Sequence, residues 1–226
     1  MIDKLKDFDV GHIFHYDLVN TNHKIGEIMK VLLLALISFS VMATTVGLST
    51  HPFAVENRVI TTEFDNYTSS GTGMGLTARY YQRVNRLLNY DVGFSINEGD
   101  RANRLMVGAD YEIFPDYGRQ PRLSVKGLFE TMEFDTERIN SFGAAPTLSK
   151  GFSFWGKEAF PFIALPYRVS LNEDQNTYDT SLAFATGITG QLDLGGNNKV
   201  VGNIEANWNL QNSYSAIVMG VSVPLN

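Results

Sequence analysis

LNYDVGFSIN, Leu88 to Asn97, alternates without interruption. Leu88, Tyr90, Val92, Phe94 and Ile96 fall on one side, and Asn89, Asp91, Gly93, Ser95 and Asn97 on the other. Successive side chains of a strand point to opposite faces, so this stretch predicts a β-strand with one apolar and one polar face. Periodicity alone does not say whether the apolar face turns toward a protein core or outward into lipid. That direction decides what kind of protein this is.

The same format recurs along the chain. Leu105, Val107, Ala109, Tyr111 and Ile113 oppose Arg104, Gly108, Asp110 and Glu112. Leu123, Val125, Gly127 and Phe129 oppose Ser124, Lys126 and Glu130. Val200, Ile204, Ala206, Trp208 and Leu210 oppose Asn203, Glu205, Asn207 and Asn209, and Ile217, Met219, Val221, Val223 and Leu225 form a last apolar row. About ten such runs are expected, over 54–65, 74–84, 88–97, 104–114, 122–132, 142–153, 159–171, 179–191, 199–210 and 214–225. No helical pattern of useful length follows residue 50. Several runs are about ten residues long, the length a tilted strand needs to cross a bilayer. Pro146, Pro161 and Pro166 fall inside expected strands, where each removes a ladder donor and so predicts a bulge or a strand end.

The connectors alternate in character. EGDRAN (98–103), EFDTERIN (133–140) and NEDQNT (172–177) are polar and mostly acidic, whereas VNRLL (84–88), PDYGRQ (115–120), WGKE (155–158) and LGGNN (194–198) are shorter or turn-like. An up-and-down meander, with turns at one end and exposed loops at the other, fits this order.

Two features turn the apolar faces toward lipid. Arg79, Arg83, Arg104, Lys126 and Arg168 share a face type with Asp91, Asp110, Glu112, Glu130 and Glu205. A closed barrel brings these opposite charges together inside, as buried charge requires. Ala183, Ala185, Gly187 and Thr189 leave room on that face for long side chains from other strands. Second, Tyr80, Tyr90, Tyr111, Tyr167, Trp208 and Tyr214 stand toward the ends of apolar rows, where amphipathic rings suit membrane–water interfaces. A soluble exported barrel binding an apolar ligand, with the apolar rows inward, is the competing orientation.

With these runs, above all LNYDVGFSIN, RLMVGADYEIF and KVVGNIEANWNL, the chain from about Ala54 to Asn226 resembles the small outer-membrane β-barrels of Gram-negative bacteria, the OmpA/OmpX-like transmembrane domains. The resemblance implies an all-β, closed antiparallel up-and-down transmembrane barrel of 8–10 strands. It also implies outer-membrane lipid as surroundings and the barrel-assembly machinery as a partner during biogenesis. Members usually end in an aromatic residue; here Leu225 is the last apolar one.

MKVLLLALISFSVMATT, Met29 to Thr45, has the parts of a secretory signal. Lys30 supplies the positive start, Val31 to Phe39 the apolar stretch, and Val41 and Ala43 the small residues that put cleavage before Thr44. An uncleaved helix over Val31 to Leu48, roughly 18 residues, is the alternative. Residues 1–28 are mixed and aperiodic. Translation is expected to start at Met29, with a genuine extension as the alternative. The expected division is thus 1–28 upstream extension, 29–43 signal peptide, 44–53 lead-in and 54–226 barrel.

The chain of 226 residues has a formal charge of -6, no basic cluster and no cysteine. Nucleic acid is not an expected partner, and thiolate metal sites, disulfides and a cysteine nucleophile are excluded. After the signal only His51 remains, ahead of the first strand, so no Ser–His or Asp–His pair is expected within the wall. GTGMG (71–75) lacks the spacing of a dinucleotide loop and reads as a hairpin. Glu98, Asp100, Glu173 and Asp174 read as solvated loop charge. No catalytic residue, cofactor or metal is expected. The expected role is that of a monomeric structural or surface-interaction protein, with a narrow ion or solute channel as the alternative.

Overall fold

The computed structural model describes residues 45–54, 57–69, 73–98, 102–134, 137–154, 156–192 and 200–225. The extension expected over 1–28, the signal over 29–43, Asp100 and the LGGNN connector lie outside the described residues.

Strands form where the alternation was read. They run β1 (Arg58–Tyr67), β2 (Gly73–Arg83), β3 (Leu88–Asn97), β4 (Asn103–Phe114), β5 (Arg122–Phe134), β6 (Glu137–Ser149), β7 (Phe152–Phe154), β8 (Lys157–Ala164), β9 (Tyr167–Asn172), β10 (Thr177–Leu192), β11 (Val200–Gln211) and β12 (Ala216–Leu225). Neighbours pair antiparallel in sequence order, and β12 returns to β1 with Arg58 opposite Leu225 and Tyr67 opposite Ala216. Both β8 and β9 bridge β6 and β10, so together they form one wall strand, while β7 pairs with β8 alone. The wall is therefore a closed ten-stranded antiparallel barrel. Among the described residues closure leaves no unpaired wall edge, the condition for a sheet in hydrocarbon, where an unpaired backbone group costs several kcal/mol.

The opening stretch fixes the orientation. In β3 Asn89, Asp91, Gly93 and Ser95 are buried, whereas Val92, Phe94 and Ile96 are about half exposed on the outer surface. The other strands follow in phase, with Leu105, Val107 and Tyr111 of β4 outward and Arg104 and Asp110 inward. The final apolar row of β12, from Ile217 to Leu225, also faces out. A soluble barrel with these rows turned inward is excluded by this arrangement.

Several expected boundaries move. The connector expected over 133–140 is mostly strand: β5 runs to Phe134 and β6 starts at Glu137. The strand expected over 142–153 ends at Ser149. Pro161 is a correction: it sits inside β8 opposite Ile188 with no slip in register. Pro146 and Pro166 mark one irregular seam. β6 pairs with β9 as far as Ala144 opposite Tyr167, and with β8 from Thr147 opposite Ala164. Pro146, which has no N–H to give, stands between these two pairings, facing the break at Leu165-Pro166. On the other side of the break, the β10–β11 register slips between Leu182 and Ala183.

The lead-in does not approach the barrel from outside. Thr45 to His51, and Phe53, are buried, with a 3-10 turn over Gly47–Thr50. This segment is a plug inside the barrel. It packs on inward-facing apolar residues in two clusters. Val46 meets Leu128, Ala145, Phe162, Ala164 and Ala185, and further along Leu48 and Phe53 meet Val59, Tyr81 and Val201.

Candidate functional site: the plugged, charged lumen

The inward row of β1 reads Val59, Thr61, Glu63, Asp65, Tyr67, all buried. β2 adds Arg79, β3 Asp91, β4 Arg104 and Asp110, and β5 Arg122, Lys126 and Glu130. Register brings these into chains of alternating sign. Arg79 binds Asp91 at 2.5 Å and Glu63 at 3.3 Å, and Lys126 reaches the other Asp91 oxygen at 2.8 Å. Gly108 opens this crossing: a Cβ there would sit 2.7 Å from Asp91 Oδ1 and 2.8 Å from Lys126 Cε. Arg104 lies 3.4 Å from Asp65 and 3.9 Å from Glu130, and Glu130 also accepts from Arg168 at 2.7 Å. Arg122 binds Asp110 at 2.5 Å and Glu112 at 2.7 Å. Ions removed from water are tolerable only with such partners, since a single buried charge costs several kcal/mol.

Eight of the ten residues expected inside are buried there: Arg79, Asp91, Arg104, Asp110, Lys126, Glu130, Arg168 and Glu205. Glu112 is only partly buried, near the strand end, where it shares Arg122 with Asp110. Arg83 is a correction. It ends β2, and its guanidinium donates to the carbonyls of Phe53, Asn85 and Arg86 instead of joining the ion pairs. Sequence reasoning missed Glu63, Asp65 and Arg122. The period-two rule applied to RVITTEFDNY and RLSVKGLFE assigns all three to the inward face.

Glu205 is held differently. Its Oε2 accepts from the consecutive main-chain N–H groups of Val46, at 2.9 Å, and Gly47, at 2.8 Å, and its Oε1 from Asn207 at 3.0 Å. Thr189 donates to the Gly47 carbonyl at 2.7 Å. Thr45 donates its hydroxyl to Glu63 at 2.9 Å and accepts from Arg79 at 2.8 Å. The plug thus satisfies polar groups that the wall leaves open, and its own backbone is satisfied in return.

His51 is a second correction to the sequence reading, which placed no histidine inside the wall. The plug carries it in. Its ring packs edge-on against Phe53, centroids 4.6 Å apart, and Phe160, at 5.3 Å. No serine or carboxylate among the described residues is bonded to it, and its contacts are those of a packing residue. Of the acidic loop residues, Glu173 accepts from Asn140 at 2.6 Å and Asp174 from the Arg138 N–H at 2.9 Å, which ties the β9–β10 turn to β6.

On the outside, Tyr80 and Tyr90 pair with ring centroids 6.2 Å apart, and both hydroxyls donate to Gln82 Oε1. Tyr111, opposite Leu88, stands at the same end. Trp208 lies at the other end, tilted against Phe184 at 5.7 Å. Tyr167 does not stand at an end of the wall. It opens β9 beside the break, opposite Ala144 in the interior of β6, because β8 and β9 are one wall strand. Tyr214 packs against the buried Tyr67 instead of reaching outward.

No protein-family model matches the chain, and no curated protein matches it by sequence. Among solved structures the barrel is similar to a chain described as a de novo designed transmembrane β-barrel. The identity is 14% and the TM-score 0.39, over 77% of this chain and 100% of that one. It is also similar to the outer membrane protein Omp33 of Acinetobacter baumannii, at 5% identity and a TM-score of 0.33, over 75% of this chain and 98% of that one. Likeness at this level carries no role to this chain, so the functional reading rests on the geometry.

Proposed function

We propose that the chain is a bacterial outer-membrane β-barrel with a closed lumen and a structural or surface-interaction role. The observation that carries this reading is the inverted polarity of the wall: Phe94, Leu105 and Ile204 are exposed on the outer surface, while Lys126, Glu130 and Glu205 are buried between the strands. In water such a continuous apolar exterior would drive aggregation, whereas acyl chains solvate it. Lipid is accordingly the main partner, and insertion falls to the barrel-assembly machinery. The closed wall completes itself as a monomer, and the acidic connectors such as 173–176 face the exterior of the cell.

A channel is the weaker reading. The small inward residues of β10 would leave a path, but Val46 packs against Ala185, and Phe162 stands over Gly187. The test is extraction from cells followed by planar-bilayer recording. The barrel should resist salt and alkaline washes, require detergent, and show no defined conductance steps. Release without detergent contradicts the membrane reading, and regular steps contradict the closed lumen.

A further inference from the structure

At the end of the barrel that carries the 173–176 turn, the outer face of β3 to β6 changes from apolar to charged, row by row. Val107, Phe129 and Phe142 pair across β4, β5 and β6, and the two phenyl rings lie 5.0 Å apart. One row nearer the end, Phe94, Leu105, Thr131 and Asn140 pair in turn. The last row is Asn103, Glu133 and Arg138. Successive rows are two residues apart along a strand, about 7 Å. The last two rows, with Ile96, line a groove of about 970 Å³, at the upper end of the size of small-ligand sites.

The protein leaves the charges of this groove to something else. Glu133 and Arg138 are exposed and stand directly opposite each other, where cross-strand side chains are within reach. Among the described residues no hydrogen bond or ion pair holds either side chain. Only the Arg138 main chain is engaged: its N–H donates to Asp174 at 2.9 Å, and its carbonyl accepts from the Glu173 N–H at 3.3 Å. The Glu173 carboxylate accepts from Asn140 at 2.6 Å. One cation thus stands among three acids, Glu133, Glu173 and Asp174, which disfavours a headgroup of net negative charge. A headgroup with one phosphate and one ammonium satisfies both members of the opposed pair, since a guanidinium forks onto phosphate oxygens and a carboxylate accepts from an ammonium. The apolar part of the lining, Phe94, Ile96 and Leu105, is half exposed or more. A water-soluble zwitterion leaves it bare, whereas a lipid covers it and carries its chain on over Val107, Phe129 and Phe142.

We propose that this groove is a binding site for a single phospholipid with a primary-amine, zwitterionic headgroup. Arg138 takes the phosphate, Glu133 accepts from the ammonium, and one acyl chain lies along Phe94 and Leu105 toward Val107. The inference rests on the membrane reading above and sharpens it: most of the wall meets lipid through hydrocarbon alone, but this patch selects by headgroup. A quaternary ammonium has no N–H to give to Glu133, and a glycerol headgroup has no cation for it.

The test places a fluorophore on a Val107→Cys variant, just below the groove, and on an Ile217→Cys variant, outward on β12 across the wall from it. Each is reconstituted in vesicles containing an equal mole fraction of chain-brominated phosphatidylethanolamine, phosphatidylcholine or phosphatidylglycerol. At position 107 the ethanolamine lipid should quench at least about twofold more strongly than the other two, and at position 217 all three should quench alike. Arg138→Gln and Glu133→Gln alter exposed side chains without described partners, so both variants should fold, and each should abolish the preference at 107. Equal quenching by the three lipids at 107, the same preference at 217, or a preference that survives both substitutions overturns the proposal. No quenching by any lipid at either position overturns the membrane reading itself, which keeps the two failures apart.

Discussion

The two sides of the lumen are filled by different means. Along β1 to β5 the wall does most of its own filling: Glu63, Arg79, Asp91, Arg104, Lys126 and Glu130 reach across and neutralise one another, with Leu48 and Phe53 of the plug covering Val59 and Tyr81. Around β8 and β10 most inward residues are short, Ala164, Ala183, Ala185, Gly187 and Thr189, and the filling comes from Phe162 and from the N-terminal segment. A long charged side chain in a closed barrel needs only a partner across the lumen. A short one leaves a void, and close packing demands that something else enter. The irregular seam at Pro146 and Leu165-Pro166 lies on this second side, beside Ala145 and Ala164, where the plug docks.

Removing the plug tests this contrast most severely. Deleting residues 45–53 behind an intact signal strips Glu205 of two donors and uncovers Phe162, Leu128 and Val201. The expected result is stepwise conductance where the full chain shows none. The melting temperature in detergent should drop by roughly 10 °C or more, since several kcal/mol are lost at about 2–4 °C each. A silent, equally stable barrel would mean that the second side fills itself after all. The charged side is probed by Arg79→Met, which leaves Glu63 and Asp91 short of a buried cation. Denaturant unfolding in micelles should register a loss of about 3–5 kcal/mol. A loss below about 1 kcal/mol would show that the lattice is not desolvated. The mildest change is Glu112→Ala. Arg122 keeps Asp110 at 2.5 Å, and Glu112 retains 13% exposure, so a loss of about 1 kcal/mol is expected. A loss matching that of Arg79→Met would extend the buried lattice to the rim.

The contrast also explains what was legible in the sequence. Strands, closure and orientation follow from alternation, which acts residue by residue and needs no knowledge of distant partners. The charged side is legible for the same reason, and Glu63, Asp65 and Arg122 obey the rule that identified Asp91 and Lys126. The plug is not legible by periodicity. Thr45 to Phe53 has no alternation, and its place depends on surfaces brought together only by closure. One sign of it was present: Val59, Tyr81, Leu128 and Val201 are apolar residues on polar faces, and such positions require a cover. The position of Tyr167 was hidden likewise, because the chain breaks at Leu165-Pro166 and then resumes the same wall strand.

The absence of cysteine from the chain makes the orientation directly measurable. Single-cysteine variants at positions 91 to 96 of β3, each carrying a fluorophore in lipid vesicles, report contact with acyl chains through quenching by brominated lipid. Strong quenching at 92, 94 and 96 and weak quenching at 91, 93 and 95 is the predicted pattern. The opposite phase, or no alternation, would contradict a barrel whose apolar rows face lipid around a charged lumen.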